Sequence, residues 1–163
     1  MRNRYPPGRT SATMARVCLV GADDVELRYE LVSRETAREA LATYEPSEPY
    51  RNTVALETVS LGSAVALLND LNWYLVRFAA ESFVLEPSVS DEEWLSRELA
   101  EAVRENEVDP AGTKRFLKMF GIHDGALLEP MFVTRTGPDL PTYDLHEVDD
   151  TLVVRVTEAE FGA

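Results

Sequence analysis

Both lysines of this 163-residue chain, Lys114 and Lys118, stand close together with Arg115 between them. The chain as a whole is acidic: 29 Asp and Glu face 14 Arg and the two Lys, and the formal net charge is -13. Cations clustered in this way could reach the phosphates or base edges of a nucleic acid, or form a solvated face that pairs with neighbouring acids. The segment 109–121 is therefore the candidate contact site. Asp109 as N-cap, Pro110 as first helical residue and Gly121 as terminator predict a helix over 109–120. At about 100° per residue, Phe116, Leu117 and Phe120 then share the inner arc, and Lys114, Arg115 and Lys118 the outer one.

Other chemistry is thinly represented. Cys18 is the sole cysteine, which excludes an internal disulfide and a multi-cysteine zinc site, and its apolar neighbours make it a buried strand residue. A nucleophile would need a base, and the histidines are His123 and His146 alone. His123 reads as a turn residue after the cationic helix. His146 lies in an acidic loop with Asp144, Glu147, Asp149 and Asp150, whose spacing fits neither a zinc nor a calcium pattern. Gly21-Ala22-Asp23-Asp24 follows a strand but lacks the further glycines and the lysine of a phosphate cradle. No catalytic residue, metal or cofactor is expected, and the reading leans away from an enzyme.

These residues must be positioned by the rest of the chain. Strands are predicted at 16–20, 53–59, 126–135 and 151–157 from β-branched content and alternation. Residues 24–31 alternate polar and apolar and read as a strand, with a helix from Asp23 as the rival. Ser33 caps a predicted helix to Tyr44. Leu61, Ala64, Val65, Leu68, Leu71, Leu75, Phe78 and Ala79 recur at helical spacing, favouring one long helix over 61–85. The competing parse is a helix to Leu71 and a strand over 73–78. Ser90 and Glu93 form a capping box, and Val89 and Trp94 a hydrophobic staple, for a helix over 91–106. The expected fold is α+β, a single domain over 15–163 with a mostly antiparallel sheet of about five strands packed against a central helical layer. The two helices 91–106 and 109–120 followed by two strands also match the order of a winged helix.

Acid excess with lysine nearly absent suits a protein that stays hydrated in concentrated salt, and points to a halophilic archaeon. Residues 1–14 carry three arginines and no acid. They read as a disordered basic arm, or as codons upstream of a start at Met14. The apolar segments are too interrupted for a membrane span, and a cytoplasmic location is expected. The stretches 15–21, 61–65, 68–78, 90–96 and 153–157 resemble an uncharacterised haloarchaeal family of small acidic proteins, a domain of unknown function, over about residues 15–163. That resemblance implies the source and no activity. The functional expectation is a non-enzymatic cytoplasmic binding or regulatory module whose contact face is Lys114, Arg115 and Lys118. Its partner is an unknown protein or a second copy, with Trp73, exposed if the long helix forms, as an apolar candidate, and the alternative is a winged-helix-like nucleic-acid binder.

Overall fold

The computed structural model describes residues 14–137 and 150–161. The basic arm before Met14 and His146 with most of its acidic loop lie outside the described residues. Among the described residues, eight strands form one mixed sheet. They are β1 (Ala15–Gly21), β2 (Thr53–Thr58), β3 (Ala79–Leu85), β4 (Trp94–Ser96), β5 (Phe116–His123), β6 (Ala126–Leu127), β7 (Met131–Thr134) and β8 (Asp150–Arg155). The order across the sheet is β2-β1-β3-β4-β8-β5-β6, with β7 sharing the outer edge of β5. Every pairing is antiparallel except β4 with β8.

The sheet curls into a half-barrel. In a flat sheet β3 and β5 would lie roughly 14 Å apart, three strand spacings of about 4.8 Å. Yet the rings of Phe83 on β3 and Phe120 on β5 are 5.4 Å apart. Lys118 on β5 likewise donates to Glu81 on β3 at 2.6 Å. The inner face therefore closes on itself, burying Cys18, Phe83, Phe120, Leu152 and Val154. The opposite face of β1, β2 and β3 carries Val17, Leu19, Val54, Leu56 and Val84, and is covered by helices.

Those helices are short: α1 (Leu27–Val32), α2 (Glu35–Ala40), α3 (Leu61–Asp70), α4 (Asn72–Phe78), α5 (Arg97–Arg104) and α6 (Glu158–Phe161). The rival helix, and not the alternating strand, forms at 27–32, because Leu27 and Leu31 bury one helical stripe. The Asn52 side chain fixes its start. Its Oδ1 accepts the Leu27 N–H at 2.9 Å, and its Nδ2 donates to the Ala22 and Val25 carbonyls at 3.0 and 2.8 Å. Asn52 holds φ at 56°, a left-handed conformation that asparagine tolerates better than most residues. Its side chain packs so close to Gly21 that a Cβ there would lie 2.5 Å from Asn52 Nδ2.

Several expectations are corrected. A curled eight-stranded mixed sheet replaces about five strands against a central helical layer. The stripe from Leu61 forms α3 and α4, broken at Leu71, and the chain becomes β3 at Ala79 because that stretch pairs with β1. Residues 109–120 are no helix. Pro110–Thr113 make one 3-10 turn, and the chain then extends as β5 between β8 and the β6–β7 edge. Among the described residues no second helix followed by a wing forms, so the expected winged-helix geometry is not found there. Residues 91–106 also divide. Ser90 Oγ does accept the Glu93 N–H at 3.0 Å, but the chain next inserts as β4 between β3 and β8. The helix waits for Ser96, whose Oγ accepts the Leu99 N–H at 3.1 Å.

Candidate functional site

The extension of 116–123 separates the three sequence-predicted cations. Alternation along β5 puts Lys118 on the inner face of the half-barrel, where Glu81 pairs with it and the rings of Phe120 and Phe132 lie 5.6 and 5.5 Å from its Nζ. Lys118 is thus a cross-sheet strut, with 18% of its side chain exposed. Lys114 and Arg115 precede the strand and stay exposed. They stand on the rim of a cleft of about 650 Å³ lined also by Glu92, Glu93, Arg135 and Arg155.

The cleft forms where neighbouring strands end together. Arg155 closes β8, beside Leu95 of β4 on one side and Leu117 of β5 on the other. Glu93 lies just before β4. Arg135 follows β7, and its N–H donates to the Arg115 carbonyl at 2.8 Å, tying the two sides of the cleft. Sheet register alone therefore brings Arg135, Arg155 and Glu93 together.

Their side chains form a nearly dry triad. Arg155 Nε donates to Glu93 Oε1 at 2.7 Å, and Arg135 Nη2 donates to Glu93 Oε2 at 2.7 Å. Arg155 Nη1 also donates to Thr113 Oγ1 at 3.0 Å. Only 5% of Arg155, 7% of Arg135 and 14% of Glu93 side-chain surface is exposed. Burial by itself raises the Glu93 pKa, but the hydrogen bonds and charges of Arg155 and Arg135 outweigh it and hold the carboxyl below its usual range. Arg135 is incompletely satisfied: its Nε is buried without a hydrogen-bond partner. An orphan donor of this kind costs about 1–3 kcal/mol, more for a charged group.

The described lining carries four cations, Lys114, Arg115, Arg135 and Arg155, against two carboxylates, Glu92 and Glu93. A local net charge of +2 on a chain of -13 makes this a place where an anion is favoured. Among the described residues neither Lys114 nor Arg115 makes an ion pair. No histidine or cysteine lines the cleft among the described residues.

The other candidates lie elsewhere. Burial pushes the Cys18 thiol up to about 12, against the opposing charge of Arg16, so it stays protonated and inert. His123 ends β5 and faces Asp124 at 3.4 Å, at a two-residue hairpin turn into β6. Trp73 is half exposed on α4, and the Arg77 guanidinium covers its ring at 3.7 Å. Among the described residues no group of three or more His, Cys, Asp or Glu could hold a metal ion, and no helix is long and apolar enough to cross a membrane.

Arg135 and Arg155 were not singled out by sequence. Arg155 had a signal, a lone charge inside the apolar run Leu152–Val156. A charge in such a run needs a buried partner, and Glu93 supplies it. Nothing local marked Arg135, which is brought in by the pairing of β7 with β5.

Residues 15–122 match the profile of a family described as "Family of unknown function (DUF5804)". No curated protein and no solved structure matches the chain.

Proposed function

The chain belongs to this family of unknown function, and from its site we propose a non-enzymatic binding module, cytoplasmic in a halophilic archaeon, whose contact site is the cationic cleft. It contacts a partner through an anionic group. The observation that carries this reading is the excess of positive charge in one cleft of an otherwise acidic protein. Long-range repulsion disfavours generic polyanions, whereas close contact in the cleft rewards a single well-placed anion. The acid excess with only two lysines supports the halophilic setting.

Affinity capture from native lysate in molar KCl tests the reading, with wild type compared to a Lys114→Glu/Arg115→Glu variant. Reversal at the rim should abolish capture of the specific partner, while Arg51→Glu, away from the cleft, should leave it intact. Equal capture by the rim variant overturns the assignment of this cleft.

A further inference from the structure

Resting on that reading, we propose that the cleft holds the phosphate group of a small molecule, with Arg135 as the arm that turns from Glu93 to the ligand. Three observations converge on this chemistry. The first is charge. The described lining has a net charge of +2, and a phosphate monoester carries about -1.5 to -2 at pH 7. A lone carboxylate would neutralise only half of it.

The second is the unused half of a guanidinium fork. Arg135 engages Glu93 through Nη2 alone, while its Nε–H is buried with no acceptor. The Nε and Nη2 donors lie on one edge of the guanidinium, and a phosphate offers two oxygens to such an edge. Rotation of Arg135 onto the ligand satisfies both donors. Glu93 keeps its bond from Arg155 Nε, and Arg155 keeps Thr113, so the exchange leaves no buried carboxylate without a cation. Lys114 and Arg115, on the rim and without ion pairs among the described residues, meet the outer phosphate oxygens.

The third is size. A cleft of about 650 Å³ exceeds a bare phosphate and falls within the roughly 300–1,000 Å³ range of small-molecule sites. The ligand therefore carries its phosphate on a body of metabolite size.

Isothermal titration of the full chain at constant ionic strength tests this with inorganic phosphate, a nucleoside monophosphate and succinate. Saturable binding of a phosphate probe is expected, and it should weaken tenfold or more in Arg135→Lys, which keeps the charge but loses the fork. The Lys114→Ala/Arg115→Ala variant, altered only at exposed positions, should weaken it by a similar factor and keeps the test valid if Arg135→Lys does not fold. Tighter binding of the nucleotide than of phosphate supports a phosphate carried on a small molecule, whereas equal binding overturns the inference of a metabolite-sized body. No saturable binding of either phosphate probe overturns the proposal, as does succinate binding equally well or unchanged affinity in the rim variant. Should the phosphate probes fail while Lys114→Glu/Arg115→Glu still loses the partner, the contact site stands and its phosphate chemistry falls. If the rim reversal also keeps the partner, both fall together.

Discussion

Glu93 is the residue on which the cleft depends. Two arginines with 5% and 7% of their side chains exposed converge on its carboxylate. Replacing it by Gln removes the charge that both arginines face, and breaking a buried ion pair costs about 3–5 kcal/mol. Since 14% of the Glu93 side chain reaches solvent, Glu93→Gln should cost somewhat less, roughly 2–4 kcal/mol in urea unfolding at neutral pH. Its pH dependence follows from its lowered pKa. In the unfolded chain a glutamate titrates near about 4.3, so the stabilisation is complete above that value and lost as pH falls through the lower folded value. Wild type should therefore lose more stability than Glu93→Gln in this acid window, and parallel profiles would remove Glu93 from the account. At this scale the sequence revealed the cations Lys114 and Arg115, but not the buried arginines that complete the cleft. Lys118, which looks equivalent in sequence, belongs to a different place because it lies within β5, on the same inner face as Phe120, whereas Lys114 and Arg115 precede the strand.

Among the elements, β4 and α5 show how a strong local signal yields to its surroundings. Ser90 caps the Glu93 N–H as a capping box requires, but the Glu93 side chain is taken by Arg135 and Arg155 and does not reach back. The three residues Trp94–Ser96 then bridge β3 and β8, and Ser96 becomes the cap. Ser96 Oγ also donates to Glu160 Oε1 at 2.6 Å, linking α5 to α6. Ser96→Ala should cost about 1–2 kcal/mol, the upper part of the range for a lost N-cap. Ser90→Ala should cost measurably less, and the reverse ranking in thermal or urea unfolding would restore the longer helix. The strand β5 was readable from its far end. Asp124 and Gly125 have φ of 52° and 77°, and an Asp-Gly pair between apolar runs is a strong hairpin signal. That turn requires a strand before it, and so contradicts the helix that Asp109, Pro110 and Gly121 suggest.

For the whole molecule, the net charge of -13 sets the response to salt. Self-repulsion among exposed carboxylates opposes the compact state, and salt shortens its reach from about 10 Å at 0.1 M to about 3 Å at 1 M. The unfolding midpoint should rise by at least ~4 °C across that KCl range, since 1 kcal/mol is worth roughly 2–4 °C in a chain of this size. A flat or falling midpoint would argue against charge repulsion as the main salt-sensitive force. Composition alone determined that acidic character, and local pattern determined β1, β2, β8 and the helical stripe beginning at Leu61. A lone cysteine excluded an internal disulfide on the same footing. The tertiary structure alone decided that 94–96 would be strand and not the first turn of a helix, because there the chain pairs with β3 on one side and β8 on the other, which satisfies its backbone groups. It also decided the site. Arg135, Arg155 and Glu93 are far apart in the chain, and sheet register, a long-range property that no local window of sequence contains, brings them to one cleft.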